Sequence, residues 1–491
     1  MNANCRANMA QIAAAPVVAA ALFAAPGCRT VNDVLVDYRD NVSGGNYAAA
    51  ATEPAELGAK ENGDRLMWRL MAASAYDLAG ETDLALQNFD VAEDIMIEND
   101  KASVFSQTAD TAYAMMLNDK YFPYDGGGQD RIFTCLYKAI GYGTKGDFVA
   151  ARTELNRAAQ HQENWLWERR KDISAADERL EKESAEYAKE KGGGHEVDSG
   201  QGKVVVQNAM KDGSFGNTVK EAFGFDIFTS GVLDKLKPAD YQNPYVAHVC
   251  GVFRWLLGDG DQRGFFKDAV TLRPGNSFAR GDLEACEAGV KPNGWVWVYA
   301  EDGLSPEREK WRIDLPLALI PYAGEYVMYA GLALPRLVER PSAASAWSVG
   351  GAPMEVIADV NALAKIEYDV YMRGALAREI TRTVIDVGVQ AALGIAAANA
   401  GDWKVKAALK ASQVAVAGYS ALRRGADTRC WPTLPKTVYL ARIPRPADGV
   451  VRVTADGQNV AEIEIPNGNA MIFVRKPASL AAASVKVLRF N

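Results

Sequence analysis

Small and apolar residues recur at helical spacing through the first part of the chain. Three glycine-led phrases punctuate them: GNYAAA at Gly45, GETDLA at Gly80 and GDFVAA at Gly146. The first two stand 35 residues apart and the next 66 apart, near one and two periods of the roughly 34-residue tetratricopeptide repeat. That self-similarity predicts paired helices that bury their faces by stacking on neighbours. In the second unit Ala73 and Tyr76 fall on the first helix, and Ala85, Phe89 and Ala92 on the second. The third unit repeats the pattern as Ala139, Tyr142, Ala151, Leu155 and Ala158. A further copy runs from Asn243 to Asn276, with Cys250 in the small position, Phe253 in the aromatic one, Phe266 and Ala269 opposite, and Pro274 at its end. Small residues allow close helix crossings and the aromatics fill the space between. YFPYDGGG, Tyr121 to Gly128, reads as a loop between units. The charged stretch from Glu168 to Lys191 predicts a long solvated helix, and the glycines of residues 192–202 a flexible linker that exposes His195.

After Asn276 the period falls to two. In GWVWVYAEDG, Trp295, Trp297 and Tyr299 alternate with Val296 and Val298, as in a strand. A turn at Asp302-Gly303 follows, and KWRIDLPL, from Lys310, is expected to return beside the first strand. Further strands are expected at residues 326–334, 354–358, 438–443, 450–454, 461–465, 470–474 and 485–490. Asp-Gly turns at 448 and 456 separate some of them, and the spacing suggests a β-sandwich. Two helical runs interrupt the strands, 364–400 and 403–424, joined by Gly401-Asp402. VIDVGVQAALGIAAANAG is almost uncharged, but Asp386, Gln390 and Asn399 argue against a membrane span, since a charge near a bilayer centre costs ~3 kcal/mol. Gly388, Ala392 and Ala396, set against Ala411, Ala415 and Gly418, instead predict a tight buried hairpin.

The expected fold class is therefore α+β and multidomain: an N-terminal tetratricopeptide-like solenoid, then a β-sandwich-like domain with an inserted helical hairpin. The expected boundaries are a signal peptide at 1–27, repeats with the long charged helix at 28–191, a linker at 192–202, a further repeat region at 203–290 and a β-rich domain at 291–491 with its hairpin at 364–424. A length of 491 residues accommodates several domains.

The chain opens with Arg6, an apolar run from Met9 to Phe23 and small residues up to Cys28, the order of a signal peptide. About 15 apolar residues fall short of the ~20 that span a bilayer. APGC resembles the bacterial lipobox, with Ala25 where a larger aliphatic residue is usual. That resemblance implies lipidation of Cys28. Arg29 after it, where Asp would retain the protein elsewhere, implies anchoring to the outer membrane on the periplasmic side.

Composition adds exclusions. The net charge is −8, from 54 basic and 62 acidic residues, which denies nucleic acid the basic face it needs. There are only three histidines. With Cys5 in the signal peptide and Cys28 carrying lipid, Cys135, Cys250, Cys286 and Cys430 remain, with three full pairings open. Their isolation suggests buried apolar roles, for Cys250 beside His248 as for the others. GYGTKG, at Gly141, fits a dinucleotide-binding pattern but joins two repeat helices rather than a strand and a helix. GQGK, at Gly200, lacks the upstream Gly and the following Ser or Thr of a phosphate loop. No catalytic residue, cofactor site or metal site is expected. Asp427 and Arg429 beside Trp431 suggest a buried ion pair closing the hairpin onto the sheet, or alternatively a docking site.

Four phrases together resemble a family of bacterial envelope lipoproteins with tetratricopeptide-like repeats: GDRLMWRL (Gly63 to Leu70), NPYVAHVCG (Asn243 to Gly251), GWVWVYAEDGLSPEREKWRIDLPL (Gly294 to Leu317) and ADTRCWPTLP (Ala426 to Pro435). The resemblance covers essentially the whole mature chain. It implies an envelope lipoprotein, with some members encoded near activators of peptidoglycan synthases, and it transfers no activity and no functional residues. Cys430 stands where Ser is more usual. The expected function is a lipid-anchored, non-enzymatic scaffold that binds a protein or peptide through its repeats, in cell-wall synthesis or envelope assembly. The alternatives are a glycan-binding or glycan-acting protein using the β-rich domain, and a subunit of a membrane-associated assembly.

Overall fold

Strand β1, Trp295–Asp302, organises the molecule because its two faces enter two different cores. Trp297 and Tyr299 turn into a core shared with the helices. Val296, Val298 and Ala300 turn the other way, against a second sheet. The two-residue alternation visible in the sequence is this division. The structure is a computed structural model that describes residues 31–105, 123–190, 236–314, 331–423 and 425–490. The signal peptide, Cys28, the 192–202 linker and residues 203–235 lie outside the described residues.

The remaining strands are β2 (Glu307–Asp314), β3 (Gly331–Val338), β4 (Trp347–Val349), β5 (Ala352–Pro353), β6 (Glu355–Asp359), β7 (Thr437–Pro444), β8 (Val450–Ala455), β9 (Gln458–Glu464), β10 (Asn469–Lys476) and β11 (Ser484–Phe490). They form a five-stranded sheet in the order β11-β10-β1-β7-β6, a four-stranded sheet β5-β4-β8-β9 and the pair β2-β3. β1 runs parallel to β10 and antiparallel to β7. This overturns the expectation that KWRIDLPL returns beside β1. Both edges of β1 are already taken, so β2 pairs with β3 instead.

The helices before β1 are α1 (Val31–Ser43), α2 (Tyr47–Gly58), α3 (Arg65–Ala79), α4 (Thr82–Phe105), α5 (Gly128–Thr144), α6 (Phe148–Glu190), α7 (Pro238–Tyr241), α8 (Pro244–Leu257), α9 (Gln262–Leu272) and α10 (Ser277–Glu287). The repeated glycine has a backbone cause: Gly45, Gly80 and Gly146 sit at φ of 79°, 84° and 81°. There a residue without Cβ reverses the chain between helices at least cost. Asn243 caps α8 by accepting from the Tyr245 amide at 3.0 Å, and Pro244 opens the helix where its missing N–H is harmless. The charged stretch after Glu168 is not a separate helix but the continuation of the 43-residue α6.

Helices and five-stranded sheet share one continuous apolar core that includes Phe89, Phe133, Phe253 and Phe266 from the helices and Trp297, Tyr299, Phe473 and Phe490 from the strands. It crosses residue 291. The other face of the same sheet packs Val298, Ile472 and Val474 against Trp347, Val451 and Val453 of the four-stranded sheet. The architecture is thus mixed α/β in layers: helices, sheet, sheet.

The inserted helices are α11, Val360–Asn399, and α12, Trp403–Arg423. Asp359 caps α11, accepting from the Ala362 amide at 3.1 Å. The sequence predicts a tight buried hairpin, and α12 departs from it. Leu409 is half-buried and Gln413 and Ala417 are buried against α11, but Trp403, Val405, Ala411, Val414 and Ala415 are exposed. Gln413 ties the seam, its side chain donating to the Gln390 carbonyl at 3.1 Å, while of the small residues expected there Ala396, Ala411 and Ala415 are exposed. Among the described residues no helix is long and apolar enough to cross a membrane.

Candidate functional site

Three helices expose polar faces that meet in a cleft of about 250 Å³. α4 contributes Glu93, Met96, Ile97 and Asp100, α5 contributes Arg131, Thr134 and Cys135, and α6 contributes Arg157, Gln160, His161 and Asn164. Within each helix these residues are spaced by three or four, so each set lies on one face.

An ionic knot forms the floor. Lys138, on α5, is 3% exposed, and its Nζ lies 2.9 Å from Asp90, 2.6 Å from Glu93 and 3.0 Å from Glu154. Burial alone would lower its pKa, but the hydrogen bonds to Glu93 and Asp90 and the charge of Glu154 outweigh that and raise it. Arg157 joins Glu93 at 2.7 Å and Glu154 at 3.2 Å. Arg131 makes two 2.9 Å bonds to the Asp100 carboxylate. His161 is held below the ordinary histidine range by burial and by the neighbouring Arg131, so it is a neutral imidazole near pH 7.

Glu93, Cys135 and Glu154 place donor atoms within 4.8 Å of one another. They do not suit a metal ion. The Lys138 ammonium already occupies the space between the carboxylates, and burial with both glutamates nearby raises the Cys135 pKa, which keeps the thiol protonated.

Two further polar clusters are wholly internal. His248 bonds Tyr299 through Nδ1 at 2.9 Å and Asp282 through Nε2 at 2.9 Å, and Trp297 also donates to Asp282 at 2.9 Å. His248, Asp282 and Tyr299 are fully buried, so this acid–imidazole–phenol chain has no access for a substrate. In the second cluster Tyr137 and Tyr245 donate to Glu301 at 2.9 and 2.8 Å, while Arg475 bridges Glu301 at 2.9 Å and Asp77 at 3.0 Å. It fastens α3, α5 and α8 to β1 and β10.

The residues expected from the repeat pattern are core. Ala73, Ala85, Phe89 and Ala92 are buried between α3 and α4, and Ala139, Ala151 and Ala158 between α5 and α6. Cys250, Phe253, Phe266 and Ala269 fill the α8–α9 pair. Tyr76 and Tyr142 are only partly covered, packing at the edge of that core. Cys135, Cys250, Cys286 and Cys430 are all free thiols. Asp427 and Arg429 form an ion pair, at 2.8 Å. Arg429 reaches Asp64 at 3.1 Å, at the start of α3. Trp431 is buried and donates to Ser74 at 2.8 Å. The three residues therefore clasp the C-terminal region to the first helices. Trp297 and Tyr299 likewise face the core and offer no exposed aromatic platform. Of the cleft residues only Cys135 stood out in the sequence, and as a buried apolar residue. Their signal was polar positions spaced by three and four, on the faces away from the small residues of the helix crossings.

Comparison of the chain with family models, with curated proteins and with solved structures finds no match in any of the three.

Proposed function

We propose that the protein is a non-enzymatic scaffold of the bacterial envelope that binds a peptide segment of a partner protein in the cleft between α4, α5 and α6. The helical pairs are read as a tetratricopeptide-like solenoid. The period, the left-handed glycine after each first helix and the small residues at the crossings support that reading. Cys28 is read as the lipid-carrying residue that holds the chain at the periplasmic side of the outer membrane. Cell-wall synthesis or envelope assembly is the process suggested by the resemblance.

The observation that carries the proposal is the lining of the cleft. Its floor charges are tied up in ion pairs with one another, carboxylates in slight excess, and the exposed carboxamides of Gln160 and Asn164 stand beside the partly exposed Ile97. Carboxamides both donate and accept, matching a peptide backbone, and an adjacent apolar side chain gives a partner residue something to cover. The test is crosslinking capture by the tagged chain from its own envelope, with mass analysis of the N-terminal peptide. A reproducible partner should be lost from a Gln160→Glu, Asn164→Glu chain and kept by Arg452→Glu, a remote surface change. Equal capture by all three chains would refute the cleft. An unmodified Cys28 would refute the anchor.

A further inference from the structure

Helix α12 presents an unusual surface for a chain of net charge −8. From Trp403 to Ala426 the sequence holds three lysines, two arginines and no acidic residue. Asp402 stands just before the helix, where it accepts from the Lys404 amide, and the fifteen residues before it, Val387 to Gly401, carry no charge at all. Among the described residues α12 packs on α11 through one side only, and away from that seam Trp403 is 73% exposed and Val414 56%. Residues 403, 407, 411 and 414 follow helical spacing of four, four and three, so Trp403, Ala407, Ala411 and Val414 form an apolar stripe. Lys404 and Lys410, both exposed, flank it on opposite edges. The Lys404 ammonium lies 5.9 Å from the Trp403 ring centroid.

We infer that this face of α12 docks on an anionic lipid surface, lying along the bilayer rather than crossing it. The chemistry matches at each level. An indole belongs at the headgroup boundary, lysine stems lie along apolar surface while their ammonium groups reach phosphate, and a locally positive helix is drawn to an anionic leaflet. A second copy is the poorer occupant, because it would set one acid-free basic helix against another. The inference is independent of lipid at Cys28 and of the cleft.

The test uses the full chain carrying Cys28→Ser, floated with vesicles of phosphatidylcholine containing phosphatidylglycerol and with vesicles of phosphatidylcholine alone, at low and high salt. Binding to the anionic vesicles should exceed binding to the neutral ones and weaken with salt. Lys404→Glu, Lys406→Glu and Lys410→Glu together should lower the anionic partition coefficient by roughly 100-fold, since each lysine near such a surface contributes roughly five-fold. Trp403→Ala should weaken binding roughly ten-fold in either salt. These positions are exposed, so the melting temperature serves as the folding control and should not move. The apolar run near the N-terminus is common to all chains and cancels between them. Equal flotation of the parent and triple-lysine chains would overturn the inference, as would no flotation of the parent. Concentration-dependent dimerisation abolished by the same substitutions, without vesicle binding, would assign the face to a second copy instead.

Discussion

Asp130 should make the protein less stable as pH rises from 4 towards 7, and Asp130→Asn should remove that dependence. The residue sits in the first turn of α5, almost fully buried, where its Oδ2 accepts from the Tyr124 hydroxyl at 2.5 Å and the Gly127 amide at 2.9 Å. Glu367 of α11 reaches the same helix start and accepts from the Gly128 and Gln129 amides. Two carboxylates therefore compete for one set of helix-terminal donors. Burial first, and Glu367 second, push the Asp130 pKa from 3.8 up to about 6, against the lowering effect of its two hydrogen bonds. Because the folded pKa is raised, the associated stability is fully present below the unfolded value near 3.8. It is lost as pH climbs through about 6. A gap of some two pKa units amounts to about 3 kcal/mol. For 491 residues the entropy of unfolding is roughly 1 kcal/mol per kelvin, so the expected movement is about 3 °C in melting temperature.

The assay is calorimetric melting of the parent and Asp130→Asn chains in buffers spanning this window. The neutral carboxamide retains an acceptor for Tyr124 and Gly127 but cannot ionise. The two melting curves should therefore diverge with rising pH, the variant gaining relative to the parent by about 3 °C between the ends of the range. Glu367→Gln should narrow the gap by removing the second cause. Melting temperatures that run parallel from pH 4 to 7 would refute the reasoning.

Two glycines test the packing in opposite senses. A Cβ on Gly143 would lie 2.6 Å from Leu488 Cδ2, so Gly143→Ala should destabilise by about 1–3 kcal/mol. A Cβ on Gly264, in α9, meets nothing within 4 Å, so Gly264→Ala should stabilise by up to about 1 kcal/mol. Denaturant titration of each chain checks both, and the same sign for both would contradict the packing. Glu301→Gln strips a charge from the buried Arg475 cluster and should cost about 3–5 kcal/mol, whereas Glu301→Gln with Arg475→Met should recover part of it. Melting of the single and double variants decides, and an additive double loss would argue against the coupling.

What could be read from the sequence was whatever is local. The glycine at φ near 80° after a helix and the alanines at helix crossings are set by residues a few positions apart, so the helix pairs were visible. β1 showed itself by alternation. Its partners did not, because β10 lies some 170 positions further on and nothing in KWRIDLPL records that both edges of β1 are filled. The cleft was missed for a different reason. A search for apolar periodicity finds the faces that touch, while Arg131, Arg157 and Gln160 mark the faces that do not. The inserted hairpin failed in the opposite direction. An alanine-rich, charge-poor helix suggested burial, yet burial requires a covering element, and among the described residues α12 has α11 and no second cover.

The buried charges then explain why this layered arrangement adopts one docking rather than several. Apolar contact between helices and sheet is non-directional and by itself selects a docking only through shape. Arg475 does not tolerate sliding: its guanidinium meets Asp77 of α3 and Glu301 of β1 at 3.0 and 2.9 Å, and Glu301 in turn accepts from Tyr137 of α5 and Tyr245 of α8. A shift of one helical turn, about 5 Å, would leave at least one of these groups charged, buried and unpaired. Arg429 imposes the same condition at the other end of α3, through Asp64 and Asp427. With α3 pinned at both ends and α5 tied to the same carboxylate, the angle between α4, α5 and α6 is set, and with it the width of the cleft. Loosening Glu301 should therefore alter partner capture by the cleft as well as stability, although Glu301 lies in the interior and does not line it.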